Sequence, residues 1–488
     1  MIRTVEGTFP NRPAASTRPA LPWRRAGVMG LGLSGTAAAG YLARRGVSVT
    51  AADAKPREAL GASADAMDQL GVTLRLGSAA AEAAAFAGCE VVIASPGVPL
   101  SAPPLEGARQ AGIPVLAEVE LAARALRGVV IGITGSNGKS TVTELTGRML
   151  QAAGLETRVC GNIGTPLVQV VEQDEALEPA RAARVHYVVE LSSFQLEGIE
   201  TLAPRVAVLL NLSPDHQDRY DTPAEYYAAK GRIFMSQRAD DIAVVNADDP
   251  LCLELAEPSA SRLFPFSLTQ DLEQGALRRG DHLIVRQDGR DQVVMPLSDV
   301  RLPGRHNQEN VLACAAAAFQ CGAPLEQAAR AVREFRGLPH RLELVATKGS
   351  VAWYNDSKAT NVGATRRALE AFNEPLVLLL GGYDKGGHFE DLREPLAVLP
   401  GGVRALITFG QAGPDIARRL EGSVLKVVQA GTLADAVGEA ARCARPGDVV
   451  LLAPACASFD AYNGFAQRGE DFRRLVQQLT PRMNGGVG

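Results

Sequence analysis

The run GVVIGITGSNGKSTVTELTGRML, from Gly128 to Leu150, constrains the possible fold more than any other stretch of the chain. Val129 to Ile133 reads as a buried β-branched strand, a Gly-rich turn follows it, and Val142, Leu145 and Met149 recur behind the turn at helical spacing. Strand, tight glycine loop and helix in that order make a phosphate cradle. Backbone amides of the loop (Gly135, Ser136, Asn137, Gly138) and of the helix start can surround phosphate oxygens. Lys139 can neutralise the outer phosphates, and the hydroxyl of Ser140 or Thr141 can reach a magnesium ion. The strict G-x-x-x-x-G-K-[ST] template is not met, because Ile133 stands where its first glycine belongs and Gly135 lies inside the loop. The match is to a variant, T-G-x-N-G-K-S-T. An ordinary strand-turn-helix with a solvated lysine is the weaker account of a complete loop in its proper context.

A chain of 488 residues has room for two or three domains with their own cores. Its 50 Lys and Arg against 54 Asp and Glu leave a net charge of -4, which lacks the basic excess expected of a nucleic-acid binder. Seven scattered Cys without a C-x-x-C pair argue against a disulfide framework and for a reducing compartment. No apolar run approaches the ~20 residues that span a bilayer, so the expectation is a cytoplasmic protein without a membrane partner. Residues 1–26 are rich in Pro and Arg and read as a disordered tail.

Beyond the tail, Gly30, Gly32 and Gly35 fit G-x-G-x-x-G, and Asp53 follows at about the ~20-residue distance at which an acid meets a ribose. NAD is the plain reading, but the same turn can hold another pyrophosphate, including that of a UDP-sugar. A further strand ends in the turn Ser95-Pro96-Gly97, and Pro114 to Leu126 reads as a connecting segment. After the phosphate loop, GNIG presents Asn162, and Glu172 to His186 reads as a polar surface excursion. Tyr187 to Leu191 is a strand that carries Glu190, a carboxylate in an apolar run. A bound metal or a hydrogen bond to a neighbouring helix would offset its burial, and the nearby phosphate loop favours the metal. Val206 to Asn211 opens into NLSPDHQDRY, with Asp215 and His216 just past the strand tip, where open α/β sheets bind ligands. Lys230, on a probable helix, would by default be a solvated lysine. Residues 262–302 read as a small β-rich excursion, and His306, Asn307 and Asn310 cluster at a helix start as caps or nucleotide contacts. From about Leu338 the β/α alternation resumes, and three strand tips converge polar groups: Asp356, Lys358 and Thr360; Asp384 and Lys385; Ser458 and Phe465. Cys456 reads as a small buried residue rather than a nucleophile.

Taken in order, G-L-G-x-S-G, S-P-G, T-G-S-N-G-K-S-T, G-N-I-G, E-L-S-S-F-Q-L, N-x-x-P-D-H-x-D-R, A-A-K, N-A-D-D, G-R-H-N, L-P-H-R-L-E, N-D-S-K-A-T-N, G-G-Y-D-K-G and P-A-C-A-S-F-D resemble the Mur ligase family, and within it the D-glutamate-adding members. The resemblance runs from about Gly27 to Phe472. It implies an α/β protein of three domains: a Rossmann-like N-terminal domain for a UDP moiety (27–117), a central P-loop ATPase α/β domain (118–337) and a Rossmann-like C-terminal domain that brings the amino acid (338–488). It implies that Lys139 and the loop from Gly135 hold the phosphates of ATP, and that Ser140 and Glu190 hold one Mg2+ ion. His216 would bind a second, and Lys230 would be carbamylated by carbon dioxide to become a metal-binding carboxylate. Asn307, Asn310, Arg341 and Asp356 would contact the nucleotide. Ser34, Asp53 and Asn162 would contact UDP-N-acetylmuramoyl-L-alanine, and Lys358, Thr360, Lys385, Ser458 and Phe465 would surround D-glutamate. Lys55 replaces an Arg of some relatives, and Asn463, Gly464 and Ala466 replace the commoner Lys, Asn and Glu.

The implied reaction begins with ATP phosphorylating a carboxylate to an acyl phosphate, which the amine of D-glutamate then attacks. The protein is expected to act as a monomer. The rival expectations are a sibling ligase for another amino acid, a folate polyglutamylating relative and a non-catalytic nucleotide-binding regulator. A pure binding module has no reason to assemble Glu190, His216 and Lys230.

Overall fold

The computed structural model describes residues 21–217 and 219–479. Residues 1–20 of the expected tail lie outside the described residues, and the first strand starts at Arg25, paired with Ser48. The chain divides into two compact units. One comprises residues up to Leu212, Arg219–Leu297 and Asn310–Val332; the other comprises Ser213–Asp218, Ser298–Glu309 and residues from Arg333 onward.

The first unit contains two parallel sheets. In one, Arg25–Met29 lies between Ser48–Asp53 and Val91–Ala94, with Thr73–Leu76 and Val115–Ala117 at the edges. Strands covered on both faces require near-continuous apolar sequence, and Val91–Ala94 is buried throughout. In the other, Val129–Thr134 lies between Val206–Leu209 and His186–Glu190, with Ile242–Val245 and Arg262–Leu263 beyond one side and Thr157–Gly161 beyond the other. The strand order therefore reverses around the strand that feeds the phosphate loop, and ligands bind at such reversals. A small sheet of Phe266–Ser267, Gly275–Arg279, His282–Gln287 and Arg290–Pro296 accounts for the β-rich excursion. Asp288 and Gly289 close one of its hairpins with φ 52 and 70, the two positive angles of a type I′ turn.

The two parallel sheets share one core, in which Tyr41, Leu42, Leu116, Val119, Val168 and Leu196 are all buried. Two stretches expected to be peripheral build it. Pro114 to Leu126 is more than a connection: Val115–Ala117 is an edge strand and Glu118–Ala123 is a helix with every residue but the last buried. Likewise, the expected excursion from Glu172 to His186 begins within the helix Leu167–Asp174, contains the short helix Pro179–Ala182 and ends at the strand His186–Glu190, and Arg44 donates two hydrogen bonds to Glu172 at 2.8 and 2.6 Å.

Glu118 and Glu120 are fully buried carboxylates in that linking helix. Glu118 Oε1 accepts the Val168 amide at 2.6 Å, near a helix start that lacks its own side-chain cap. Glu120 accepts the amides of Glu200, Thr201 and Leu202 at 3.0 Å each. Each acid satisfies backbone donors that burial would otherwise orphan.

In the second unit, Glu343–Lys348 pairs antiparallel with Val351–Asn355, and Val449–Leu452, Leu376–Gly381, Val403–Phe409 and Val427–Gln429 follow in parallel. Cys456 is 1% exposed. Residues 298–309 group with this sheet, since Arg333 pairs with Asp299 at 2.8 Å and a Cβ at Gly304 would stand 3.1 Å from Ala371.

Burial pushes the Glu118 carboxyl up to about 7, against the opposing pull of the Val168 amide. The folded state thus keeps a proton that the unfolded chain releases near 4.5, so the stability this group contributes is full below 4.5 and is lost as pH rises through about 7. Glu118→Gln should flatten the fall in unfolding free energy over that interval and leave the protein more stable than wild type above it. Denaturant titrations across the pH range check this, and an unchanged slope would contradict it.

Candidate active site

The phosphate loop is glycine by necessity at two positions. Gly135 has φ +152 with Leu210 Cβ 2.9 Å from where a Cβ would stand, and Gly138 has φ +87 with Asn310 Oδ1 at 2.6 Å. Gly138 precedes the helix Lys139–Ala152, whose first-turn amides have no intrahelical partners. Lys139 Nζ folds back onto the carbonyls of Gly135 and Ser136 at 2.8 and 3.0 Å, which places its charge over the loop. Ser136, Ser140 and Thr141 are buried behind it.

Asn211, at the tip of the neighbouring strand, holds the loop open. Its carbonyl accepts the Ser136 amide at 2.9 Å, its Oδ1 accepts the Asn137 amide at 2.9 Å, and its Nδ2 donates to the Asn137 carbonyl at 3.0 Å. Sequence reasoning assigned it no role. The available signal was a polar residue ending an apolar strand beside the loop strand.

Glu190 ends the adjoining strand, in register with Ile133 just before the loop. It is 2% exposed. One carboxylate oxygen accepts from Asn162 Nδ2 at 2.8 Å, and the other, Oε2, is buried with no hydrogen-bond partner among the described residues. A buried carboxylate oxygen left unsatisfied beside an anion cradle fits a cation ligand. Asn162 is itself exposed, and its amide donates to the Glu190 carbonyl at 2.9 Å. Lys230, expected by default at the surface, is 1% exposed, with its Nζ 4.4 Å from the centre of the Tyr226 ring. Among the described residues no three His, Cys, Asp or Glu side chains form a ready-made ion site.

The first sheet forms a second cradle. Gly30 has φ +88, and a Cβ on Gly35 would lie 1.7 Å from the Gly30 carbonyl oxygen, so helix and turn meet only through glycine. Ser95 Oγ donates to that same carbonyl at 2.8 Å. Asp53 accepts the Leu31 amide at 2.6 Å and the Lys55 amide at 2.8 Å, so it organises the turn. Ser34 lies in the first turn of the helix Leu33–Ala43.

In the second unit, Asp356 follows Asn355 at a strand end, and burial raises its carboxyl to about 7 despite the nearby Arg341. The Lys358 amide donates to the His340 carbonyl at 3.1 Å, its ammonium lies 4.0 Å from the Phe465 ring centre, and Thr360 follows in the same loop. Ser458 is buried and Lys385 exposed. Asn307 Nδ2 donates to the Pro303 carbonyl at 2.6 Å. His216 adopts φ 53 beside Asp215, whose Oδ2 accepts from Asn361 Nδ2 at 2.9 Å. Lys139, Glu190, Lys230 and Asn310 thus belong to the first unit, and His216, Asn307, Arg341 and the amino-acid set to the second.

Arg468 was also missed. Fully buried, it donates to Ser357 Oγ and to the carbonyls of Ser357, Cys456 and Ala457 at 2.9 to 3.0 Å, and so joins the loops that carry Lys358 and Ser458. Burial lowers its guanidinium to about 10, against the smaller opposing pull of groups that include Asp460.

Three family models cover most of the chain: the Mur ligase MurD-like N-terminal domain over residues 24–117, the Mur ligase middle domain over 133–318, and the Mur ligase glutamate ligase domain over 340–456. A UDP-N-acetylmuramoylalanine--D-glutamate ligase from Acidobacterium capsulatum is 44% identical over 92% of this chain and 95% of its own length. The enzyme of that name from Anaeromyxobacter dehalogenans is 45% identical over 94% and 99%. Among solved structures, a MurF ligase from Thermotoga maritima in complex with ADP has a TM-score of 0.57 at 17% identity, covering 88% of this chain and 96% of that one, and shares the fold. The chain belongs to the Mur ligase family and is an ATP-dependent ligase that uses Mg2+. Among the described residues no helix is long and apolar enough to cross a membrane.

Asn211→Ala removes two side-chain hydrogen bonds to the phosphate loop. It should weaken ADP binding about tenfold, and lower stability by about 1–2 kcal/mol, without abolishing folding. Calorimetric titration with ADP checks this, and wild-type affinity in the variant would contradict the assignment.

Proposed function

We propose that this chain joins D-glutamate to UDP-N-acetylmuramoyl-L-alanine, with hydrolysis of ATP to ADP and phosphate, in peptidoglycan precursor synthesis. The observation that carries the reading is the buried, unpaired Glu190 oxygen in register with the start of the phosphate loop, in a chain with full-length likeness to ligases of that name. In this reading residues 27–117 take the UDP moiety at Gly30 to Gly35, and Ser34 and Asp53, together with Asn162 of the central domain, contact the UDP-linked acceptor. Residues 118–337 take ATP, and residues 338–488 bring the amino acid. The enzyme works as a single chain in the cytoplasm.

A carboxylate is a poor electrophile, so the terminal carboxylate of the acceptor first takes the γ-phosphoryl group of ATP. Loop amides and Lys139 hold the phosphates as the two anions approach, and Asn307, Asn310, Arg341 and Asp356 hold the nucleotide. Ser140 and Glu190 would hold one magnesium ion, and His216 with Lys230 as its carbamate would hold a second. Magnesium bound there screens the converging negative charge and polarises the phosphoryl group. Lys358, Lys385, Thr360 and Ser458 would fix the glutamate carboxylates against Phe465, so that the neutral amine faces the acyl phosphate. The amine attacks the acyl carbon, the tetrahedral adduct expels phosphate, and the amine proton leaves with solvent. Exclusion of water until the amine has attacked would spare the acyl phosphate from hydrolysis.

The direct test offers D-glutamate, L-glutamate, L-lysine and meso-diaminopimelate in turn with ATP and UDP-N-acetylmuramoyl-L-alanine, and follows phosphate release. D-glutamate alone should support rapid release, and a preference for another amine would assign the chain to a sibling reaction. Lys139→Ala should abolish release. Lys230→Ala should be nearly inactive and partly restored by short carboxylic acids, whereas full activity without them would remove the carbamate from the account.

A further inference from the structure

Four side chains in the most specific motifs have no part in the chemistry above: Phe194 and Glu197 of ELSSFQLE, and Arg219 and Tyr220 of PDHQDRY. In space they form one cluster. The Arg219 guanidinium lies 4.0 Å from the centre of the Phe194 ring, and its Nη2 donates to Glu197 Oε2 at 2.8 Å. The Tyr220 hydroxyl donates to the other Glu197 oxygen, and its ring stacks on Phe194 with centroids 6.0 Å apart. Tyr220 also leans on Tyr226 at 5.4 Å, the ring that faces Lys230. The Arg219 and Glu197 side chains are only 12% and 16% exposed, so the pair is shielded from solvent screening.

The third contact of Arg219 leaves this cluster. Its Nη1 donates to the carbonyl of Pro96 at 3.1 Å. Pro96 is the middle of the Ser95-Pro96-Gly97 turn, at the carboxyl end of Val91–Ala94 in the other parallel sheet. That turn walls the glycine crevice: Ser95 Oγ is bonded to the Gly30 carbonyl, and Val98 Cγ2 would lie 2.9 Å from a Cβ on Gly30.

We propose that Arg219 is a positioning residue for the acceptor: it locks the Ser95-Pro96-Gly97 turn, and with it the crevice that receives the nucleoside diphosphate, onto the sheet that carries the phosphate loop. The proposal rests on the reading that this crevice takes the UDP moiety. A clasp that only joined the two sheets could lie anywhere along their contact, and one exists already where Arg44 meets Glu172, just after the end of the helix Leu33–Ala43 opposite the glycine turn. Arg219 instead acts at the ligand end of the strands. The planar guanidinium suits this task because it serves two acceptors through its fork while stacking on Phe194. A lysine ammonium has three donors but no planar fork, so it cannot hold both acceptors in this geometry while lying flat on the ring. Acceptor binding therefore depends on Arg219, whereas its contacts among the described residues are to Pro96, Glu197 and Phe194 and not to the phosphate loop or the amino-acid residues.

The test uses the full chain as wild type, Arg219→Ala, Arg219→Lys and Glu197→Gln, with KM measured separately for the UDP-linked acceptor, ATP and D-glutamate, and UDP affinity measured by calorimetry. Arg219→Ala should raise the acceptor KM and weaken UDP binding about tenfold, with the ATP and D-glutamate KM within about twofold of wild type. Arg219→Lys should fall between the two, and Glu197→Gln should show a smaller rise of the same kind. Unchanged acceptor KM and UDP affinity in Arg219→Ala, or a rise shared equally by all three substrates, would overturn the proposal. If thermal unfolding shows that Arg219→Ala does not fold, Arg219→Lys and Glu197→Gln decide by the same criteria. A wild-type protein that turns over no UDP-linked acceptor would defeat the functional reading instead, and UDP calorimetry would still decide the role of Arg219.

Discussion

Room for anything larger than glycine is missing at both ends of the phosphate loop, and the rest of the first unit is built outward from that restriction. With Leu210 and Asn310 pressed against Gly135 and Gly138, the backbone has one path available, and it leads into the first turn of the helix Lys139–Ala152. Asn211 bonds the loop from the next strand, and Lys139 reaches back over its carbonyls. The cradle is thus preorganised before a phosphate arrives, which is where electrostatic catalysis gains most.

Buried acids are used in two different ways around it. Glu120 has its oxygens occupied by three amides and a hydroxyl, and so contributes to structure. Glu190 has one oxygen occupied by Asn162 and the other unpaired, which leaves coordination capacity where negative phosphate is to be held. Neither burial nor the inventory of hydrogen bonds separates these roles alone, since Glu118 Oε2 is likewise buried with no hydrogen-bond partner among the described residues; position does, because Glu190 is paired with the strand that feeds the phosphate loop and Glu118 faces the start of the helix Leu167–Asp174. The same inventory distinguishes Arg219, which reaches the ligand end of another sheet, from the surface arginines paired with a nearby acid on their own helix.

Much of the architecture was legible in the sequence because it follows from short patterns. Apolar runs ending in glycine or polar tips marked the strands and their ligand ends, and the turns at Gly30 and Gly138 need only local geometry to be recognised. What escaped depends on distance along the chain. Glu118 meets Val168 50 residues away, and Arg468 meets Ser357 111 residues away, so neither looked different from a solvated charge. Val115–Ala117 is too short to show alternation, yet it completes a sheet edge. Asn211 looked like any strand-ending polar residue until its neighbour was known to be the loop strand. Lys230 separates two kinds of signal: its helix alone suggested a solvated lysine, the resemblance implied a metal-binding role for it, and the side chain is buried beside Tyr226.

The central claim is that the cradle serves to make a carboxylate electrophilic by phosphorylating it. The most direct measurement uses acceptor labelled with oxygen-18 in its terminal carboxylate, incubated with ATP and D-glutamate, followed by mass analysis of the released phosphate. An acyl phosphate intermediate predicts that each phosphate carries one labelled oxygen from the acceptor. Unlabelled phosphate, with the label retained in the product or lost to water, would contradict the account.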